Sequence, residues 1–135
     1  MIKTIFTCSI MLFVNMACDK PFFTKSVKSF WIENQSDHLI MTLRSYQYPD
    51  TTIPDVQNEL GGILAGEKAP YDYDIKNWSE LFNQLPIDTL SVFIFHGDTI
   101  AKYSWQEIRS GYKILKRYDL SQEDLKNMNY TIIYP

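Results

Sequence analysis

The residues in this sequence best suited to acid–base or metal chemistry are His96 and Asp98, which stand on either side of Gly97. A histidine and a carboxylate at this spacing can bind a metal ion or transfer protons. Glycine and aspartate are also the residue types that β-turns favour, and we therefore interpret the three residues as a turn. The other histidine, His38, has no motif around it and is expected at the edge of a hairpin.

A second candidate is the run Tyr71-Asp72-Tyr73-Asp74, which alternates aromatic and acidic side chains after Pro70. Such a run is able to bind calcium or to stack on a sugar. Calcium takes about six or more oxygen ligands, however, and this run supplies only two carboxylates. We interpret it as a solvated loop whose tyrosines fold onto a sheet.

Basic residues gather late in the chain, which raises the question of a phosphate or nucleic-acid site. The formal net charge of the whole chain is −3, and this acidic balance argues against nucleic acid as a partner. Alternating charges on one face of a sheet account for the residues without a ligand. The cluster consists of Arg109, Lys113, Lys116 and Arg117, flanked by Tyr112 and Tyr118.

Motifs that identify enzymes are missing from the sequence. It contains no Ser-His-Asp order with a supporting motif, no glycine-rich phosphate loop and no paired-histidine metal spacing. Aromatic residues make up 15% of the chain, and they either fill the core or form an exposed patch that binds sugar or protein. We expect no catalytic residue, no metal and no cofactor, although a site assembled from distant residues leaves no trace in sequence.

The amino-terminal segment has the pattern of a secretion signal. Lys3 supplies a positive charge, and the apolar stretch from Ile5 to Val14 is about half of the ~20 residues that a membrane-spanning helix needs. The small residue Ala17 then directly precedes Cys18. This arrangement resembles a bacterial lipobox, in which the cysteine is acylated and cleavage follows on its amino side. Asn15 and Met16 depart from the usual lipobox residues.

Two other interpretations of this segment remain open: an ordinary signal peptide cut near Ala17, and a buried helix of the fold. On the lipobox interpretation, residues 1–17 are a signal peptide, 18–28 are the lipidated Cys18 with a tether, and 29–135 are one globular domain. A chain of 135 residues with 45% hydrophobic and 21% charged residues suits a single domain of this kind. Cys8 would be discarded and Cys18 acylated, which leaves no free thiol for catalysis or metal binding.

The periodicity of the remaining chain predicts an α+β fold with a mainly antiparallel, sandwich-like sheet and two or three short helices in the C-terminal half. Strands are predicted at Phe30–Glu33 and Leu39–Arg44, paired as a hairpin, and at Ile63–Leu64. Leu90–Phe95 is apolar on both faces and is predicted to be a central strand. Thr99–Tyr103, Tyr112–Tyr118 and Tyr130–Tyr134 are further predicted strands. Helices are predicted over Asn77–Leu85, after Ser104 and after Ser121.

The last third of the chain carries a further pattern, in Asp88–Phe95, Asp98–Ile100, Tyr103–Trp105, Ile108–Arg109, Tyr112–Ser121, Asp124–Leu125, Asn129, Ile132 and Tyr134–Pro135. These residues resemble a family of small Bacteroidota-type cell-envelope lipoproteins of unknown function. The resemblance implies a location in the cell envelope and a domain that ends at Pro135. It brings no activity, substrate or catalytic residue.

The sequence therefore predicts a cell-envelope lipoprotein, anchored to a membrane through Cys18, whose domain is a non-enzymatic binding or accessory module. A protein or a glycan is the expected partner, and the membrane and its face are left open. The alternative is a small envelope hydrolase whose site is assembled from dispersed carboxylates and His96.

Overall fold

The computed structural model describes residues 29–71 and 77–135. The predicted signal peptide and the lipidated Cys18 with its tether occupy residues 1–28. These residues lie outside the described part of the chain. The described residues form seven strands and four α-helices, together with one turn of 3-10 helix at Gln57–Glu59. The strands are β1 Trp31–Asn34, β2 Ile40–Ser45, β3 Gly61–Ile63, β4 Lys68–Pro70, β5 Leu90–His96, β6 Lys116–Leu120 and β7 Thr131–Tyr134. The helices are α1 Trp78–Gln84, α2 Gly97–Lys102, α3 Trp105–Ser110 and α4 Gln122–Asn127.

The strands form two sheets that pack face to face. In the three-stranded sheet, with the order β4-β1-β7, β1 runs antiparallel to β4 and parallel to β7. In the four-stranded sheet, with the order β3-β2-β5-β6, every pair is antiparallel. Three of the four helices lie after β5 in the chain. The predicted α+β, sandwich-like fold is confirmed.

Strand β5 lies at the centre of the four-stranded sheet and is buried on both faces. One face, with Ile94, belongs to the core between the two sheets, which it shares with Ile32 and Ile132 of the other sheet. The opposite face, with Phe93, packs against Ile108 of α3. The apolar run of this strand is therefore explained by two separate cores, as the prediction of a central strand requires.

Three helices begin at the residues that the sequence indicated. Asn77 caps α1 by accepting hydrogen bonds from the amides of Ser79 and Glu80, at 3.1 and 3.4 Å. Ser104 and Glu107 form a reciprocal capping box at the start of α3, and hydrogen bonds from Ser104 lower the pKa of Glu107. The same device, built from Ser121 and Asp124, begins α4. These signals are local in sequence, which is why they could be predicted.

The predicted hairpin of the first two strands is wrong, because β1 and β2 belong to different sheets. After β1 the chain turns around the side chain of Asn34, which is fully buried. Its Nδ2 donates to the carbonyl of His38 at 2.8 Å and to that of Ile63 at 3.1 Å. These bonds direct the chain across to the second sheet instead of back along β1.

The predicted strand at Thr99–Tyr103 is also wrong, since Gly97–Lys102 is α2. The His96-Gly97-Asp98 turn is the start of this helix, where His96 is the N-cap and its Nδ1 accepts from the amide of Asp98. Strand β6 begins at Lys116, later than predicted. Tyr112 adopts φ +48°, and the amide of Lys113 donates to the carbonyl of Ile108. Tyr112 and Lys113 therefore form a turn at the end of α3 and not the start of a strand.

Replacement of either Phe93 or Ile94 with alanine is expected to lower the free energy of unfolding by about 2–5 kcal/mol, because each leaves a cavity in one of the two cores. Ile133→Ala is the control, since Ile133 lies on β7 with 54% of its surface exposed. Urea melts measure all three variants. Losses below about 0.5 kcal/mol at both core positions would show that β5 is not central.

Candidate functional site

A cleft of about 340 Å³ opens between β3 and β4, the outer strands of the two described sheets. Its volume is at the lower end of the range for small-molecule sites in proteins. Three segments of the chain supply the walls: β2 with the Gly-Gly strand β3 on one side, the 3-10 turn, and β4 with the residue after it. The lining residues are Thr42, Arg44, Glu59, Gly61, Gly62, Ile63, Ala69, Pro70 and Tyr71.

Gly61 lines the cleft without a side chain. Gly61 pairs with Thr42 in the β2–β3 ladder, and the Thr42 hydroxyl donates to the Gly61 carbonyl at 3.1 Å. A Cβ added at Gly61 would lie 3.3 Å from the Thr42 oxygen and 4.0 Å from the ring of Tyr71. A larger side chain at this position would therefore project into the space between the two walls.

Tyr71 forms the wall opposite Gly61. Its ring packs edge-on against Phe30 with 5.7 Å between ring centroids, which ties this wall to the core. The guanidinium of Arg44 lies 5.4 Å from the centroid of the Tyr71 ring, within cation–π range. Burial raises the pKa of the Tyr71 hydroxyl well above its ordinary value, against the opposing effect of a hydrogen bond with Thr42. Tyr71 is thus a neutral, firmly held phenol at any physiological pH.

The cleft carries two opposite charges on an otherwise apolar or uncharged lining. Arg44 is the one cation and Glu59 the one anion among the described lining residues. Glu59 lies in the exposed 3-10 turn, whereas Arg44 lies in β2 and is partly buried between the rings of Tyr71 and Tyr46. A site of this kind attracts polar ligands without favouring either sign of net charge.

The two histidines, far apart in sequence, are brought together at one end of the sandwich. The rings of His38 and His96 stack with their centroids 4.2 Å apart and their planes 14° from parallel. His38 Nδ1 lies 3.0 Å from a carboxylate oxygen of Asp37, and this hydrogen bond lowers the pKa of Asp37. His96 uses its Nδ1 to cap α2. Sequence reasoning considered each histidine separately and missed this pairing.

The geometry of the histidine pair does not suit a metal ion. The lone pairs of stacked imidazoles lie in nearly parallel planes, whereas a zinc ion needs ligand nitrogens that converge on it at about 2.0–2.1 Å. In the described ranges, no group of three or more His, Cys, Asp or Glu residues is arranged to hold a metal. A carboxylate oxygen of Asp98 lies 3.9 Å from His96 Nδ1, and the Asp98 side chain is almost fully exposed. The cleft lining does not include either histidine.

The basic cluster is distributed over three structural elements. Arg117 donates to Asp119 at 2.7 Å and lies over the ring of Phe93, while Arg109 bonds to Asp55 and to the carbonyl of Ile53. The ammonium groups of two lysines lie over tyrosine rings: Lys113 over Tyr103 and Lys116 over Tyr118. Only Lys116 and Arg117 lie on a strand, and as neighbours in β6 they point to opposite faces of the sheet, so the cluster is not a charge pattern on one sheet face.

The predicted loop Tyr71–Asp74 is described only at Tyr71, because Asp72 to Asp74 lie outside the described residues. Tyr71 packs on the core, as predicted for the tyrosines of this loop. Of the cleft residues, sequence reasoning singled out only Tyr71. Nothing in the sequence connects Gly61-Gly62 with Arg44 or Glu59.

Comparison with known proteins gives no assignment. No family model, no curated protein and no solved structure matches this chain. The resemblance to envelope lipoproteins therefore stays a prediction. In the described residues, no helix combines the length and the apolar character that a membrane crossing requires.

The raised pKa of Tyr71 predicts a loss of stability at alkaline pH. An unfolded tyrosine ionises near pH 10, whereas folded Tyr71 retains its proton. The free energy of unfolding therefore falls as the pH rises above about 10. Tyr71→Phe should reduce this fall in the unfolding free energy. Part of the fall should remain, because burial also raises the pKa of Tyr118.

Urea melts between pH 8 and pH 11 measure the effect. Tyr103→Phe is the matched control, since Tyr103 packs with the second core on the far face of the four-stranded sheet. An alkaline fall that is equally steep in Tyr71→Phe and in the unchanged protein would contradict a buried Tyr71 hydroxyl.

Proposed function

We propose that this protein is a cell-envelope lipoprotein whose globular domain binds a small ligand in the cleft between β3 and β4 and catalyses no reaction. Cys18 carries the lipid that holds the domain at a membrane. The binding part rests on one observation: a cleft of about 340 Å³ whose lining includes Gly61, Arg44, Glu59 and Tyr71.

The anchoring part rests on the sequence Ala17-Cys18 after a short apolar stretch. Each buried CH₂ of an acyl chain contributes about 0.8 kcal/mol, so two or three chains hold a small domain stably where a single chain does not. A lipid anchor keeps the domain at the membrane surface with its cleft in the aqueous phase. A binding or accessory role suits that arrangement, in which the ligand arrives from solution.

The binding role is favoured over catalysis by the groups that line the cleft. Its described lining contains neither histidine nor cysteine, and it has a single carboxylate, Glu59. Hydrolysis by general acid and base normally uses two titratable groups with separated pKa values, or a nucleophile beside a base. The alternative hydrolase needs His96, whose Nδ1 caps α2 and whose neighbour Asp98 points into solvent.

Cys18→Ser is expected to abolish lipidation and to release the protein from membranes, because serine offers no thiol to receive the diacylglyceryl group. Cells grown with a clickable fatty acid report the lipid, and fractionation reports the location. Cys8→Ser is the matched control: it removes the other cysteine, which lies inside the predicted signal, and should leave both results unchanged. An unchanged protein that takes up no label would overturn the lipoprotein proposal.

Gly61→Leu is expected to remove any ligand that the protein carries from the cell envelope, because the new side chain occupies the cleft. Ile133→Leu is the control, because Ile133 lies on β7 with 54% of its surface exposed and is not among the residues that line the cleft. Native mass spectrometry of the full-length protein, extracted in mild detergent, compares the two variants. A bound mass that survives Gly61→Leu would place the binding site elsewhere.

A further inference from the structure

Strand β6 forms an outer edge of the four-stranded sheet, and no strand pairs with its far side in the described part of the chain. The carbonyl of Ile94 in β5 faces β6, because it accepts from the amide of Leu115 at 2.8 Å. Main-chain groups alternate sides along an antiparallel strand, so β5 bonds to β6 through Ile94, Val92 and Leu90. Their register partners in β6 are Lys116, Tyr118 and Leu120.

The residues between these partners turn their main chain outwards. Arg117 and Asp119 each present one N–H and one C=O to the free edge, and these groups have no backbone partner among the described residues. An unpaired strand edge is a template for pairing with another chain, and charged side chains are one means by which proteins prevent such pairing. Charges prevent it only where like charges meet, so their arrangement decides which partner this edge accepts.

The two charges are arranged symmetrically about Tyr118. Arg117 precedes it and Asp119 follows it, and both side chains lie on the same face of the sheet. A second copy of β6, turned antiparallel and centred on the same tyrosine, brings its aspartate opposite Arg117 and its arginine opposite Asp119. Each of these two positions then forms a two-bond pairing, which gives four main-chain hydrogen bonds. The edge is therefore complementary to itself in both charge and hydrogen bonding.

Other registers lose this complementarity. A pairing centred on Arg117 brings that arginine opposite its own counterpart, and a pairing centred on Asp119 does the same for the aspartate. Like charges directly opposite each other are destabilising. In the register centred on Tyr118, by contrast, Lys116 stands opposite Leu120 and meets no charge. The charge pattern thus selects one register.

The pairing keeps the ion pair that already exists within one chain. Arg117 Nε donates to Asp119 Oδ1 at 2.7 Å, and the hydroxyl of Ser91 donates to the same oxygen at 2.6 Å. Within the described residues, the other oxygen of Asp119 has no hydrogen-bond partner. In the symmetric pairing each arginine has one aspartate beside it on its own strand and another across the pair, so four charges alternate in sign.

We propose that this protein forms a symmetric dimer in which the β6 strands of two copies pair antiparallel about Tyr118 and join two four-stranded sheets into one sheet of eight strands. The partner is a second copy of this chain. The dimer goes beyond the proposed ligand binding and does not depend on it. Strand β3, which lines the cleft, lies at the opposite edge of the sheet, so the cleft stays open in the dimer.

Cysteine cross-linking of the full-length protein tests the register. The two Tyr118 residues form a non-hydrogen-bonded pair with their Cα atoms about 4.5 Å apart, which a disulfide spans. Tyr118→Cys should therefore give a covalent dimer under mild oxidation. Lys116→Cys is the matched control on the same strand and face, because its counterpart lies about 14 Å away along the pair, beyond the reach of a disulfide. The unchanged protein gives the background from Cys8 and Cys18.

Charge exchange tests the complementarity. Sedimentation equilibrium of the full-length protein in density-matched detergent should show twice the mass of one chain. Arg117→Asp and Asp119→Arg each bring like charges together and should weaken dimerisation at least about tenfold. An equimolar mixture of the two variants again has opposite charges at both positions and should recover the dimer. This recovery distinguishes lost pairing from lost folding, because a misfolded variant gains nothing from the mixture.

Three results would overturn the proposal. The first is an unchanged protein that sediments with the mass of one chain. The second is a dimer in which Tyr118→Cys cross-links no more than Lys116→Cys, which would place the interface on another surface. The third is a mixture of the two charge variants that is no more dimeric than either variant alone.

Discussion

The buried amide of Asn34 is the interaction on which the arrangement of the two sheets depends. Its Nδ2 donates to the carbonyls of His38, Ile63 and Leu64 at 2.8–3.1 Å, while its Oδ1 accepts from the amide and the hydroxyl of Ser36. Asn34 ends β1 in one sheet, whereas its acceptors precede β2 and end β3 in the other. A buried amide that loses its partners carries a large desolvation penalty, so the fold is constrained to keep these segments together.

This constraint also fixes the position of the cleft. Asn34 holds the carbonyl of Ile63, and Gly61, two residues earlier in β3, lies on the same face as the core residue Ile63, towards the space between the sheets. The chain then returns through β4, which pairs with β1. This pairing places Tyr71, the residue after β4, opposite Gly61. The edge strands β3 and β4 of the two sheets thus become neighbours. Gly61 of β3 has no side chain to fill the cleft between them.

The parts of the fold that could be predicted are those with local causes. The caps at Asn77, Ser104 and Ser121 and the apolar run of β5 lie within a few residues of what they determine. Strand pairing depends on contacts between distant residues, and the hairpin prediction failed because nothing in residues 30–43 reveals that Asn34 bonds to Ile63. The cleft could not be predicted for the same reason, since its walls come from separate segments that have no shared pattern.

The two ends of the space between the sheets differ in how they are closed. Beside Asn34 the stacked rings of His38 and His96 close one end, and Gly97 is required there because a Cβ would lie 2.8 Å from the Leu39 side chain. Here glycine permits close packing. At Gly61 a Cβ would lie 3.3 Å from the Thr42 hydroxyl and 4.0 Å from the ring of Tyr71, on the side of β3 that lines the cleft. Glycine therefore permits close packing at position 97, whereas at position 61 it lines the cleft.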